Sequence, residues 1–249
     1  MRSIRRPRRP SGSRSVAALR APRYTPRLRR AGAALLLATS AAACTPRAPT
    51  AAVSADSALV AQALEWTRPQ AALHVTFAWS LQDRDARFSG RGVVRIEPPW
   101  RARLDLFGPR GEGYLSATLQ EETLHLPAGA PDGLLPPPAF LWATLGAVRE
   151  PAGTALTMAQ RAGDEVLLGF DAARERWRFR LQGERLARVE WHGPDGGRRT
   201  VELAGTAAHG LPERGVYRDW LAFRELTLSL ETVERVDGFP TDTWSLGAR

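Results

Sequence analysis

The sequence predicts a mainly β protein with some α-helix, folded as an unclosed antiparallel half β-barrel of about eleven strands wrapped around short helices. Apolar and polar residues alternate along many short segments, which is the period of a strand with one buried face. The connections between these segments are mostly too short for the helical crossovers that parallel strands need. Because one apolar face recurs over so many strands, and only two stretches have helical spacing, we expect the sheet to curve around two helices.

The two predicted helices lie at the start of the folded region and near its middle. Asp56 or Ser57 can cap the first turn of a helix, and apolar residues then recur at helical spacing as far as Pro69. The second helix is predicted over 139–148 and is entered through the prolines at 136–138. Each helix has an apolar face that a sheet can cover.

The predicted strands begin with an alternation in which Leu73, Val75, Phe77 and Trp79 share one face. Similar segments follow to the end of the chain, separated by turns that contain Gly and Pro. The predicted strands cover 73–79, 87–97, 102–106, 115–119, 124–126, 166–170, 177–181, 187–191, 201–203, 226–236 and a final segment around Trp244.

The net positive charge comes from the first 43 residues, which hold eleven of the 35 arginines and no acidic residue. The remaining chain carries 24 arginines against 26 acidic residues, so we expect no nucleic-acid partner. An uncharged run of thirteen residues, 31–43, is shorter than the ~20 residues that a membrane-spanning helix needs. A basic region followed by a short apolar run and small residues is typical of a secretory leader.

The leader ends in Ala41-Ala42-Ala43-Cys44, which resembles the bacterial lipobox. The resemblance implies cleavage before Cys44 and attachment of a diacylglycerol anchor to its thiol. An ordinary leader cleaved after Ala-x-Ala, with an incidental cysteine, is the alternative. The expected organisation is therefore a lipoprotein signal peptide over 1–43, a flexible Ala-, Pro- and Thr-rich tether over 44–56, and a folded domain over 57–249.

The residue pattern does not predict an enzyme. The four histidines have no metal-ligand spacing, and no nucleophile motif accompanies them. The adjacent Glu121 and Glu122 fall in a turn, where such a pair is usually solvated. We therefore expect no catalytic residues, no metal and no cofactor.

Four segments together resemble the LolA/LolB lipoprotein carrier and receptor superfamily: 91–96, 103–111, 226–230 and 236–240. The resemblance extends over approximately 57–249. It implies an unclosed half-barrel with helices as a lid and a cavity that holds the acyl chains of lipoproteins or related lipids. With the anchor at Cys44, it also implies a monomeric receptor-like lipoprotein of the outer membrane, facing the periplasm. Two alternatives remain: a periplasmic sensor or regulatory protein with the same half-barrel, and an anchored partner-binding module.

Two groups of candidate site residues follow from this interpretation. Six leucines are expected to face the concave interior, some of them lining the ligand cavity and others only packing the core: Leu104, Leu106, Leu115, Leu119, Leu228 and Leu230. The turn at 107–111 resembles the protruding loop that the receptor inserts into the bilayer, but Arg110 stands where the receptor pattern has a leucine. We expect Arg110 to contact phosphates or a protein partner without entering the hydrocarbon. The alternative is a simple Gly-Pro hairpin turn.

Overall fold

The computed structural model describes residues 56–130 and 133–246, in which twelve strands form one antiparallel sheet. This confirms the predicted mainly β architecture with an open antiparallel sheet and two short α-helices. The elements are α1 (Ser57–Thr67), β1 (Ala72–Gln82), β2 (Arg87–Glu97), β3 (Arg101–Phe107), β4 (Gly113–Gln120), β5 (Thr123–His125), α2 (Pro138–Thr144), β6 (Ala155–Ala162), β7 (Glu165–Asp171), β8 (Arg176–Gln182), β9 (Arg185–His192), β10 (Arg198–Ala204), β11 (Arg214–Asp219) and β12 (Arg224–Val236).

The strand order is β5-β4-β3-β2-β1-β12-β11-β10-β9-β8-β7-β6, so two meanders are joined where β1 pairs with β12. Strands β5 and β6 are the two open edges, and the chain passes from one to the other through α2. The sheet has a proximal end and a distal end. The proximal end holds the α1–β1 connection and the turns at 97–101, 182–185 and 204–214. The distal end holds the turns at 82–87, 107–113, 192–198 and 219–224.

Helix α2 packs against the concave side of the sheet. Its last five residues, Phe140 to Thr144, are all buried, and it packs against β9, β10 and β11. The Phe140 ring stacks on Trp177 with centroids 4.7 Å apart, and the Trp142 indole N–H donates to the carbonyl of Glu121 at 2.7 Å. Gly215 of β11 permits this approach, because a Cβ there would lie 2.5 Å from the Thr144 carbonyl oxygen.

Helix α1 begins as its sequence predicts. The Asp56 carboxylate accepts the backbone N–H groups of Ala58 and Leu59 at 3.0 and 3.1 Å, which satisfies two donors of the first turn. Leu59, Val60 and Ala63 form its buried face. The helix packs on β6 and β9, and therefore covers the second meander.

Two strands were not predicted. The edge strand β6 has a single fully buried residue, Ala159, so its sequence lacks a regular apolar alternation. In β11, the buried Val216 and Tyr217 are adjacent, and Gly215 interrupts the pattern. Neither segment has the period-two signature on which the strand predictions depend.

Two predicted boundaries were wrong. Trp244 lies in a short 3-10 helix, Thr241–Trp244, where Thr243 N–H donates to the Pro240 carbonyl at 3.0 Å, so there is no final strand there. The second helix ends at Thr144 and does not continue to 148. Gly146 has a φ of 89°, a left-handed conformation that ends an α-helix.

Replacing Trp142 by Ala is expected to lower the free energy of unfolding by about 3–5 kcal/mol, because it leaves a cavity beneath the sheet and an unpaired Glu121 carbonyl. Equilibrium urea denaturation would measure the loss. Trp220→Ala is the matched control, since Trp220 is 51% exposed and its removal should change stability by about 0.5 kcal/mol or less. Equal losses in the two variants would contradict the central role given to α2.

Candidate ligand-binding cleft

A cleft of about 400 Å³ opens at the proximal end of the half-barrel, between the α1–β1 connection and the segment that follows α2. Its floor is formed by buried side chains from three elements: Leu73 of β1, Ile96 of β2 and Trp142 of α2. Trp66 and Leu211 line it as well and are half-buried. The volume falls within the roughly 300–1,000 Å³ of typical small-molecule sites, and an apolar floor is what such sites have in common.

The rim of the cleft is charged. Arg68 and Arg185 line it together with Glu184 and His209. The Arg68 guanidinium lies 2.7 Å from the Glu65 carboxylate. Hydrogen bonds lower the pKa of Glu65, with the larger effect from Gln70 and the smaller from Arg68. An apolar floor below a charged rim suits an amphiphile whose head group stays at the surface.

A hydrogen-bond relay beside the cleft links the end of α1 to the segment that follows α2. The Thr67 hydroxyl donates to the Ala63 carbonyl at 3.0 Å and accepts the backbone N–H of Val148 at 3.1 Å. Val148 is fully buried, so this hydroxyl satisfies a donor that has lost its contact with water. The last residue of α1 therefore holds the segment after α2 in place.

A second, smaller cleft of about 250 Å³ lies on the aromatic side of α2. Phe140, Trp177 and Trp191 line it, and Trp142 borders both clefts. The Arg199 guanidinium lies 4.6 Å from the centre of the Trp191 ring. The concave side is thus divided by α2 and is not one continuous cavity.

The six predicted leucines lie in the packed core. Five are buried, and Leu230 is half-buried against them. Across β3 and β4, Leu106 pairs with Leu115, whereas Leu104 pairs with Ala117. None of the six lines either cleft described above, so a ligand contact by any of them stays a prediction.

The residues that do line the proximal cleft were missed for an identifiable reason. Strand alternation points to side chains in the middle of strands, whereas Trp66 lies in the last turn of a helix and Leu211 lies in a connection between strands. For Trp66, the helical spacing that placed it on α1 was the one sequence feature that could have indicated a position in the cleft. Nothing in the sequence brings Leu211 next to it.

Arg110 lies at the tip of the distal β3–β4 hairpin and is exposed. The turn is closed by a hydrogen bond from Gly108 N–H to the Glu112 carbonyl at 2.8 Å, and Gly111 has a left-handed φ of 82°. The Glu112 carboxylate accepts the backbone N–H of Arg110 at 2.9 Å. The contact of Arg110 with phosphates or a partner stays a prediction, and Cys44 lies outside the described residues.

Within 56–130 and 133–246, no group of three or more His, Cys, Asp or Glu side chains is arranged to hold a metal ion. Glu121 and Glu122 are both exposed in the β4–β5 turn. In the same part of the chain, no helix has the length and apolar character needed to cross a membrane.

No protein-family model matches the chain, and no curated protein sequence matches it. Solved structures do. A LolA superfamily protein from Nitrosomonas europaea is 14% identical, with 76% of this chain and 96% of that chain covered and a TM-score of 0.51. A domain from Vibrio parahaemolyticus, described as an outer membrane lipoprotein-sorting candidate, is 11% identical, with coverage of 75% and 94% and a TM-score of 0.52. The chain therefore has a LolA-like fold, as its residues predicted.

Thr67→Val is expected to lower the free energy of unfolding by about 1–3 kcal/mol, because it leaves the buried Val148 N–H without an acceptor. Thr67→Ser keeps the hydroxyl and should lose less. Denaturation of both variants beside the parent chain makes the comparison. If Val and Ser at this position are equally stable, the relay does not hold the cleft together.

Proposed function

We propose that this protein is a lipid-anchored envelope lipoprotein that binds the acyl chain of a lipoprotein or lipid in its proximal cleft, and that it acts in lipoprotein localisation. The observation that carries the proposal is the apolar floor of Leu73, Ile96 and Trp142 in a cleft of about 400 Å³ at the open end of a LolA-like half-barrel. The names of the two similar structures support this assignment, since one refers to the LolA superfamily and the other to lipoprotein sorting.

The energetics suit a carrier or receptor that must also release its ligand. Burying ten methylenes contributes about 8 kcal/mol in gross terms, at ~0.8 kcal/mol each. The loss of translational and rotational freedom on association offsets several kcal/mol of this gain. The net affinity is then roughly micromolar, which permits exchange with another protein or a membrane.

The charged rim gives this cleft a preference for one end of the ligand. An acyl chain that enters between Trp66 and Leu211 leaves its polar end among Arg68, Arg185 and His209. Arg185 makes no ion pair within the described residues, so its guanidinium favours a carboxylate, a phosphate or a peptide carbonyl over an uncharged apolar end. Arg68 already pairs with Glu65 and adds to the polar character of the rim. The cleft needs no covalent chemistry for this role, and we propose a binding protein and not an enzyme.

The anchor completes the proposed role. A diacylglycerol thioether at Cys44, with or without an acylated amino group, supplies the two or more chains that stable membrane attachment requires. The tether of 44–56 would let the domain stand off the outer membrane on its periplasmic side.

Leu211→Arg is expected to weaken the binding of a fluorescent fatty acid by about tenfold or more, because it places a guanidinium against the apolar wall of the cleft. Leu156→Arg is the matched control. Leu156 is also a half-buried leucine packed on the core, but it lies in β6 and not among the cleft residues.

Displacement of the probe measures both variants, after circular dichroism has shown that each is folded. Equal binding by Leu211→Arg and the parent would exclude the proximal cleft as the acyl site. Native mass spectrometry of the chain purified from cells should show bound species of acyl-chain mass, and their loss in Leu211→Arg.

The anchor has its own test. The mature protein is expected to start at a lipidated Cys44 and to fractionate with membranes. The Cys44→Ser variant lacks the thiol and should not be acylated. Intact-mass analysis measures the modification directly. An unmodified cysteine thiol in the membrane fraction, or cleavage at a different residue, would contradict the assignment.

A further inference from the structure

The large apolar side chains that are exposed in the described residues all belong to the distal half of the sheet. Trp220, Leu221 and Phe223 lie in the β11–β12 turn and are 51%, 63% and 64% exposed, while Phe88 near the start of β2 is 42% exposed. Three such residues in one four-residue turn are unusual for a surface in water, where large exposed apolar groups mark sites of interaction.

The backbone of this turn is held firmly. The Asp219 carboxylate accepts the N–H groups of Leu221 and Ala222 at 3.1 and 3.0 Å, and Arg199 pairs with the same carboxylate at 2.8 Å. Phe223 has a φ of 55°, the left-handed region that a bulky residue rarely adopts. A strained residue that exposes an aromatic ring gains nothing from core packing, which points to a role at the surface.

The neighbouring β1–β2 turn lies against the same tip. The Arg84 guanidinium is 5.1 Å from the centre of the Phe223 ring, and Arg224 pairs with Asp83 at 2.8 Å. On the other side, the Arg198 guanidinium is 5.4 Å from the centre of the Trp220 ring. Each aromatic ring at the tip thus has a cation beside it.

The unpaired charge of the β1–β2 and β3–β4 turns is slightly positive. Arg84 and Arg87 in the β1–β2 region and Arg110 in the β3–β4 turn are exposed, and none of them makes an ion pair within the described residues. Against these three stand two exposed carboxylates in the same turns, Asp85 and Glu112, and the latter already accepts the Arg110 backbone N–H. In the sheet, these turns are adjacent hairpins, because β4, β3, β2, β1, β12 and β11 are consecutive neighbours.

We propose that the distal tip docks on a phospholipid bilayer with anionic headgroups, inserting Trp220, Leu221 and Phe223 at the interface. Tryptophan and phenylalanine favour that depth, and arginines beside them reach the phosphates. The apolar residues are exposed on a turn at the end of the sheet, and a fluid surface accommodates them without a complementary groove. The inserted turn is β11–β12, and the β3–β4 turn with Arg110, on the far side of the β1–β2 turn, stays at headgroup level.

Vesicle flotation of the chain from residue 44 onward, carrying Cys44→Ser to remove the acyl anchor, tests the proposal. The probe is a vesicle of phosphatidylethanolamine with a minority of phosphatidylglycerol. The parent should co-float, and combined Trp220→Ser, Leu221→Ser and Phe223→Asn should reduce vesicle affinity by about tenfold or more. Asn tolerates the left-handed conformation at position 223, so the variant should remain folded.

A depth measurement separates insertion from simple charge attraction. To remove the contribution of acyl chains bound beside Trp66 and Trp142, the comparison uses Leu211→Arg as the background. Brominated acyl chains should quench the tryptophan fluorescence of that variant, and adding Trp220→Phe should remove this quenching while the protein still co-floats. Vesicles of phosphatidylcholine alone should bind the parent less than vesicles with phosphatidylglycerol. Equal flotation of the parent and the triple variant, or quenching that persists when Trp220→Phe is added to Leu211→Arg, would overturn the proposal.

The proposed acyl cleft and the proposed docking tip fail separately. Leu211→Arg at the proximal end should lose fatty-acid binding and keep vesicle binding, and the triple variant should show the opposite pattern. Sedimentation supplies the remaining control. A concentration-dependent dimer that the triple variant abolishes would identify the tip as a contact between copies of this chain and overturn membrane docking.

Discussion

The burial of α2 against the concave side of the sheet is the constraint on which the remainder of the structure depends. A sheet with one apolar face and two open edges needs a cover, and the seven residues of α2 supply the part over β9, β10 and β11. Phe140 and Trp142 point to opposite sides of the cover, so one contacts the aromatic cluster of β8 and β9 while the other contributes to the floor of the proximal cleft. The glycine at 215 exists in β11 for the same reason, since any side chain there would push the helix away from the sheet.

The same packing explains why the interior is divided. A half-barrel of twelve strands encloses more space than a short helix can occupy, and the unfilled space lies beside the helix, not along the whole sheet. A ligand therefore meets a cleft open at one end, with its deep part apolar and its mouth charged. Arg199 is placed differently, because it lies against aromatic rings and pairs with the half-buried carboxylate of Asp219. Burial acts to raise the pKa of Asp219. Hydrogen bonds from Ala222 N–H and Arg199 outweigh this effect and hold the pKa below its ordinary value.

The sequence predicts the individual strands and helices that have a regular apolar period. It predicts little of the sites that several of these elements form together. The alternation from Leu73 to Trp79 is a strand with those residues inside, and Asp56 caps the first helix. The edge strand β6 has no such alternation because neither of its faces is well buried, and Ala159 is its single buried residue. The proximal cleft combines Trp66, Ile96 and Leu211, which become neighbours only after the sheet has curved. Tertiary proximity of this kind leaves no local signal.

The pairing of β1 with β12 has a consequence for how the chain reaches its native state. Ala72 lies opposite Val236, so β1, the first strand to be synthesised, cannot complete its pairing until β12, the last strand, has been synthesised. The two meanders are local and can form early, but their junction closes a loop that includes nearly the whole domain, and such contacts form slowly. Until β12 (Arg224–Val236) has been synthesised, β1 is an unpaired edge strand of an apolar sheet. Unpaired edge strands of this kind promote aggregation. A truncation that removed this last strand would therefore leave two half-sheets with exposed edges, and not a smaller version of the same fold.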